Sequence, residues 1–370
     1  MDLLELRSQI NDIDSKMQQL FAERMKICYQ IAEYKKENNL PVFQKDRENE
    51  ILAKVTENAP DGLENAMKVY FRTMMDISKC LQYGRLFSNT GFIPFKPLDL
   101  SGRHRVAVPG TLGSYNHIAC GELFEDADPM FFDSFEEIFK AVSAGAAEFG
   151  ILPIINSTAG SVVQTYELMR QYDFKICAQT KLQISHCLAV KKGVRADEVH
   201  DVYSHEQALR QCSEIINRRG YKPHVFSNTS LAACYVRDSA EPCAAICSEK
   251  CAEELGLEII ARGVQNAAEN YTKFILISHE TFKSENADTI SVCLSLAHQS
   301  SSLYRLLTKF AVAGLNLTMI ESMPIANTDF DVMFYLDFKG DISKKEVTTL
   351  LSELAQEVSY FKFLGNYKEV

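Results

Sequence analysis

Apolar side chains at Leu3, Leu6, Ile10, Ile13, Met17, Leu20, Ile27, Ile31 and Tyr34 recur at alternating steps of three and four. That spacing is a helical seam running over residues 2–37. A helix of ~36 residues is ~54 Å long at 1.5 Å per residue, too long for a single globule of this size, so it predicts a partner chain. Pro41 ends it; a second helix is expected from Lys45 to Asn58 and a third from about Leu63 to Gln82, with Ala59-Pro60-Asp61-Gly62 as the turn between them. Residues 1–88 therefore read as all-α. Residues 89–101 belong to SNTGFIPFKPLDLSG, which has prolines, glycines and no period, and they read as a linker.

The period then changes. Over residues 102–283, short apolar runs (Val106–Val108, Phe149–Ile154, Ile176–Ala178, Cys187–Val190, Ala244–Cys247, Phe274–Ile277) alternate with helical stretches. This is the pattern of a two-lobed α/β domain with βα connections. In residues 288–370 the pattern changes again. Ile290, Val292, Leu294 and Leu296 alternate with polar residues; Leu303, Leu306, Leu307 and Phe310 follow at helical spacing. Asn316–Ile325 reads as a strand. An Asn327-Thr328-Asp329 turn follows, then alternation from Phe330 to Phe338, a helix over Ser343–Ser359 and a last strand over Phe361–Tyr367. The βαββαβ order is the α+β, ferredoxin-like split βαβ arrangement. The chain is thus expected to be multidomain.

Lys plus Arg total 39 against 49 Asp plus Glu, a formal charge of −10, which argues against nucleic-acid or anionic-membrane partners while leaving room for small anions. The charged amino terminus and the lack of a long apolar run predict no membrane segment and a cytoplasmic protein. The 11 cysteines are expected to be reduced and buried. Cys243, Cys247 and Cys251 at C-x3-C-x3-C suit one helix face better than a metal cluster, although Cys243 is expected to end a strand. With neither a G-x-G-x-x-G loop nor a Walker loop, no cofactor and no metal are implied.

One position breaks the helical seam: Arg24 stands between Leu20 and Ile27. Its stem can pack while its head reaches water. Lys35, eleven residues on, lies ~20° round the helix and so on the same face, and Arg7 is close to the seam. Cations on an apolar face without acids in register call for an anionic ligand, and a dicarboxylate fits. Lys45-Asp46-Arg47-Glu48 opens the second helix, and Ser78 and Gln82 sit one turn apart on the third.

The ordered set L-R-x-x-I-x-x-I-D (Leu6 to Asp14), Ala22-Glu23-Arg24, Lys35, Asp46-Arg47-Glu48, Ser78 and Gln82 resembles the all-helical chorismate mutase family. The resemblance implies that Arg24, Lys35 and Arg7 of a partner chain hold the two carboxylates of chorismate. Lys35 and Gln82 would donate to the ether oxygen and Glu48 would accept from the ring hydroxyl, with Arg47 and Ser78 in support. Gln44 stands where the family often has aspartate. The Claisen rearrangement needs no nucleophile, only a compact bound conformer and donors facing the developing charge.

A second resemblance, to prephenate dehydratase, rests on four pieces: Gly110-Thr111-Leu112-Gly113-Ser114-Tyr115-Asn116-His117; Leu152 to Ser161; Tyr203-Ser204-His205-Glu206-Gln207; and Asn270-Tyr271-Thr272-Lys273-Phe274. It implies an active site between two α/β lobes, with Thr272 acting on the hydroxyl that leaves prephenate and Asn156, Ser157, Ser114 and Lys273 binding substrate. His205 is a further candidate for the cleft, and His117 reads as a hydrogen-bonded structural residue. The family motif has glutamate at Ile155 and arginine at Lys273, and Lys lacks the bidentate fork; Pro109 and Thr111 also depart. The tail resembles the ACT regulatory domain, implying L-phenylalanine as effector near Leu303, Glu321 and Ser322, with Ser301 in place of glycine and Met323 in place of arginine. The expectation is a bifunctional enzyme of phenylalanine biosynthesis, a homodimer or higher homo-oligomer, converting chorismate to prephenate and prephenate to phenylpyruvate. The rival readings are an active mutase fused to a weakened or silent dehydratase, and an amino-acid-responsive binding protein.

Overall fold

The seam over residues 2–37 is one helix, α1 (Leu3–Glu37), opened by Asp2, whose N–H donates to Glu5 Oε2 at 3.1 Å, and closed beside Lys35 and Lys36. The computed structural model describes residues 2–86, 94–267, 269–325 and 332–369. The Asn327-Thr328-Asp329 turn, Phe330 and the first part of the expected linker lie outside the described residues. Helices α2 (Lys45–Glu57) and α3 (Glu64–Leu86) follow. Helix α3 runs one turn past the expected Gln82, because Tyr83 on that turn is buried. Only the C-terminal half of α1 is covered, at Met25, Cys28 and Ala32. Its N-terminal stripe is bare: Leu3, Ile10, Ile13 and Leu20 are 58%, 57%, 54% and 64% exposed.

The α/β segment opens with β1 (Lys96–Pro97), β2 (Arg103–Pro109), α4 (Tyr115–Leu123), β3 (Asp126–Phe132) and α5 (Phe135–Ser143). It continues through β4 (Phe149–Asn156), β5 (Gly160–Ser161), α6 (Val163–Gln171) and β6 (Lys175–Gln183). A second lobe comprises β7 (Cys187–Val190), β8 (Asp201–His205), α7 (Glu206–Gln211), α8 (Ser213–Arg219), β9 (Lys222–Phe226), α9 (Thr229–Asp238), β10 (Cys243–Cys247), α10 (Glu249–Glu254) and β11 (Glu258–Arg262). The chain returns to the first lobe as β12 (Tyr271–Ser278), followed by β13 (Phe282–Lys283). The first sheet has the order β3-β2-β4-β12-β6, with β5 on β4, and the second β11-β7-β10-β8-β9. In the first, β2 runs parallel to β3 and β4 while β12 is antiparallel to β4 and β6. Each lobe has its own core, one around Val106, Ile151, Phe274 and Leu276, another around Val202, Ala244 and Ile246.

The cysteine triplet corrects one expectation. Cys243 and Cys247 both lie on β10, and only Cys251 is helical, on α10. All five residues of β10 are buried, so the strand is apolar on both faces and shows no alternation. Every cysteine is a free thiol, and all but Cys234 are buried.

The remaining elements are β14 (Thr289–Ser295), α11 (Ser302–Ala313), β15 (Leu317–Pro324), β16 (Val332–Lys339), α12 (Lys345–Glu357) and β17 (Tyr360–Tyr367). They follow the expected βαββαβ order and line up as β17-β14-β16-β15. By packing, the chain forms two compact units, Met1–Pro94 with Ile290–Phe363 and Phe95–Thr289 with Leu364–Val370. The three N-terminal helices thus share a unit with α11 and α12, both of which pack on α3. Among the described residues no helix is long and apolar enough to cross a membrane.

Candidate active sites

In the first unit, α1, α2 and α3 enclose a cavity of about 560 Å3. Arg24, Lys35, Gln44, Arg47, Glu48, Ser78 and Gln82 all line it, as does Lys79, which the sequence reading missed. Arg24 donates to Ser78 Oγ, and its Nη1 lies 3.7 Å from Cys28 Sγ. Lys35 donates to the Val42 carbonyl at 2.7 Å. Burial lowers the Lys35 amine from its ordinary value, with the charges of Cys28 and Glu48 pulling the other way and Lys79 adding to the lowering. Among the described residues neither Arg24 nor Lys35 is ion-paired to a carboxylate. The Gln82 side chain is buried, and its Oε1 has no partner among the described residues. Lys79 pairs with Glu48 at 2.9 Å, which leaves Arg24 and Lys35 as two cations on the cavity wall without a carboxylate among the described residues, a charge suited to a dianion. Arg47 is the most outlying, exposed and paired with Glu50 at 2.5 Å. Arg7 is not brought here: it is exposed on α1, ~26 Å along the helix axis from Arg24 at 1.5 Å per residue.

In the second unit a cavity of about 440 Å3 lies between the two lobes. Ser114, Asn156, Thr272 and His205 line it as expected, joined by Tyr115, His186 and Gln211. Ser114 caps α4, accepting from His117 N–H at 3.2 Å. The loop before it is pinned at Gly113, where φ is +75° and an added Cβ would stand 2.4 Å from Cys251 Cα. Ser248 Oγ donates to the Gly113 carbonyl at 2.7 Å, tying this loop to the second lobe. His117 Nδ1 accepts from Gly113 N–H at 3.1 Å, the structural role expected of it.

Asn156 organises the floor of the cleft. Its Oδ1 accepts from the Thr158 and Ala159 N–H groups at 3.1 and 2.8 Å and from Thr158 Oγ1 at 2.8 Å. Its Nδ2 donates to Asn270 Oδ1 and Thr272 Oγ1, both at 2.8 Å. Since Thr272 Oγ1 accepts that bond, its own proton is directed elsewhere, leaving the hydroxyl to serve as a donor. His186 lies 3.0 Å from Tyr115 Oη and 3.3 Å from Gln211 Oε1. Burial brings its pKa down to about 4, only partly offset by Gln211.

Two expected cleft residues are not there. Ser157 is exposed and holds the strand pair, accepting from Tyr271 N–H at 2.9 Å. Lys273 pairs with Glu369 at 3.0 Å. Both follow cleft-facing neighbours, and consecutive side chains alternate across a strand, so the chain's own period of two separates Thr272 from Lys273. In the C-terminal segment Leu303 lines a cavity of about 380 Å3 with Ser302, His298 and Phe334. Glu321 and Ser322, on β15, do not line it.

The family model described as chorismate mutase type II matches residues 6–83, and that described as prephenate dehydratase matches residues 106–282. A bifunctional chorismate mutase/prephenate dehydratase from Aquifex aeolicus is 29% identical over 369 residues, covering 99% of this chain and 98% of the relative. An arogenate dehydratase/prephenate dehydratase from Arabidopsis thaliana is 30% identical, covering 74% of this chain and 73% of the relative. The chain belongs to the bifunctional chorismate mutase/prephenate dehydratase family. It is an enzyme of phenylalanine biosynthesis with both activities, isomerising chorismate to prephenate and converting prephenate to phenylpyruvate. A crystal structure of prephenate dehydratase in complex with L-Phe from Arthrobacter aurescens superposes with a TM-score of 0.66 at 25% identity, covering 72% of this chain and 90% of that one.

The departures from the dehydratase motif take on a definite meaning in this fold. Ile155 and Lys273 stand directly opposite each other on β4 and β12, on the face turned away from Asn156 and Thr272. The positions where the motif has glutamate and arginine thus form one cross-strand pair, outside the cavity between the lobes. Here the lysine has Glu369 as its partner instead. In the C-terminal segment, Ser301 occupies a left-handed conformation with φ of +71°, which accounts for glycine in the motif.

Proposed function

We propose that the two activities divide between the two cavities: residues 1–88 form the mutase domain, 89–101 the linker, 102–283 the dehydratase domain and 288–370 an ACT regulatory domain. Arg24 and Lys35 take the carboxylates of chorismate together with Arg7 of a second copy. Lys35 and Gln82 donate to the ether oxygen as the C–O bond breaks and the new C–C bond forms. Glu48 accepts from the ring hydroxyl, and Gln44, Arg47 and Ser78 complete the lining. The observation that carries this reading is the cation-rich cavity in which Arg24 and Lys35 have no carboxylate partner among the described residues. Holding the dianion as a compact chair and meeting the developing negative charge with placed donors is all the rearrangement requires.

In the dehydratase cleft Thr272, held by Asn156, donates to the ring hydroxyl of prephenate. With one proton drawn from solvent that group leaves as water, the ring carboxylate leaves as carbon dioxide, and the electrons of its C–C bond complete the aromatic ring. Ser114 and Asn156 line the path. The exposed stripe of α1 and the distance from Arg7 to Arg24 support a homodimer, since a second copy would cover the one and supply the other. The L-Phe complex of the Arthrobacter aurescens relative supports L-phenylalanine as an effector, sensed at the cavity that Leu303 lines.

The test measures each reaction by itself. Arg24→Ala is expected to lower prephenate formation about 100-fold or more and to leave phenylpyruvate formation from prephenate unchanged. Thr272→Val is expected to do the reverse, by a similar factor. Full turnover of its own reaction by either variant would overturn that assignment.

A further inference from the structure

A chain of buried charges runs from the mutase cavity to the C-terminal helices within the first unit. At its centre is Lys79 on α3, only 4% exposed, which lies on the wall of the cavity. Its Nζ lies 2.9 Å from Glu48 Oε1, 3.0 Å from Asp76 Oδ1 and 3.5 Å from Glu357 Oε2. Three carboxylates, from α2, α3 and α12, thus share one ammonium. Arg305 on α11 grips Asp76 with two hydrogen bonds, of 3.0 and 2.8 Å, and comes within 3.8 Å of Glu48 Oε2. Lys309 engages Glu353 and lies 2.9 Å from Glu357. Burial opposes the charged form of Asp76, yet the Arg305 hydrogen bonds and the Lys79 charge outweigh it and hold its carboxyl below the ordinary range.

The division of Lys79 among its partners governs the cavity. A Glu48 carboxylate that lost both Lys79 and the 3.8 Å approach of Arg305 would be left facing Lys35, whose amine already feels its charge and must stay free for substrate. Arg305 keeps the division favourable, because Asp76 is 1% exposed and needs a counter-charge. With Arg305 in place, Asp76 has a bidentate partner; without it, Lys79 would be its remaining one.

We propose that Arg305, on the first C-terminal helix, is a positioning residue of the mutase site, holding Asp76 so that Lys79 stays on Glu48. The inference rests on the assignment of Glu48 to the mutase site. It makes the C-terminal helices part of the support for a cavity more than 200 residues away in sequence.

The test uses the full chain, with KM and kcat for chorismate as readouts. Arg305→Met is expected to raise KM about tenfold with a smaller change in kcat. Adding Asp76→Asn removes the competing charge, and the double variant is expected to return to within about threefold of wild type. A merely structural role for Arg305 would show no such rescue. A wild-type KM in Arg305→Met, or a loss that Asp76→Asn leaves in place, overturns the inference. If melting by circular dichroism shows Arg305→Met unfolded, Arg305→Lys decides on the same readout, with an intermediate KM expected and a wild-type KM overturning the proposal. Glu48→Gln separates the two levels. If it leaves mutase turnover intact, the site assignment itself fails; if it abolishes turnover while Arg305→Met and Arg305→Lys behave as wild type, only the inference fails.

Discussion

His186 shows what the cleft asks of a single residue. The ring is 2% exposed and its pKa falls to about 4 against an ordinary 6.5. Below pH 6.5 the unfolded chain binds a proton that the folded chain refuses, so this contribution to stability is complete above 6.5 and is lost as pH falls towards 4. The loss amounts to ~3 kcal/mol at most, at 1.36 kcal/mol per pKa unit. His117 and His205, also lowered by burial, act in the same direction. Urea unfolding between pH 7 and 4.5 should show a flatter pH dependence in His186→Asn than in wild type, and identical slopes would refute the assignment. His186 went unread in the sequence because nothing local marks it: its partners Tyr115 and Gln211 lie 71 and 25 residues away. Arg24 and Lys35 were legible because one helix places them on one face.

At the scale of elements, the strand pair β4–β12 decides which motif residues face the cavity between the lobes. Alternation sends Asn156 and Thr272 into the cleft and Ile155 and Lys273 to the other face. Ile155→Glu should therefore leave phenylpyruvate formation within about twofold of wild type, the new carboxylate competing with Glu369 for Lys273 as a cross-strand pair worth under ~1 kcal/mol. A large gain in turnover would show that the missing carboxylate acts in catalysis. The alternation is present in the sequence and separates Lys273 from Thr272, whereas Ser157 lies in the turn just past β4. The N-terminal helices were legible almost to the residue, since period and punctuation agree over residues 2–62. Strand β10 was less so, because a strand buried on both faces carries no period and its cysteines imitate a helix face.

For the whole molecule, what the sequence could not disclose is which distant segments share a unit. The α/β and βαββαβ patterns were readable in order, but the packing of α11 and α12 on α3 rests on pairs such as Asp76 with Arg305, 229 residues apart. Local periodicity carries no information about such contacts. The bare stripe of α1, by contrast, is the surface that the proposed second chain would cover. If that chain supplies Arg7, each mutase centre is a composite of two protomers, and two defective chains can repair each other. In a mixed dimer of Arg7→Ala and Arg24→Ala, one centre collects both lesions and the other collects none. Equal mixing with random re-association makes half of all dimers mixed, so about a quarter of wild-type turnover should reappear from two nearly inactive preparations. Absence of any recovery after verified subunit exchange would mean that each chain builds its centre alone. Complementation of this kind would turn a helix too long for its own globule into a genetic property, a mutase centre owned by the pair.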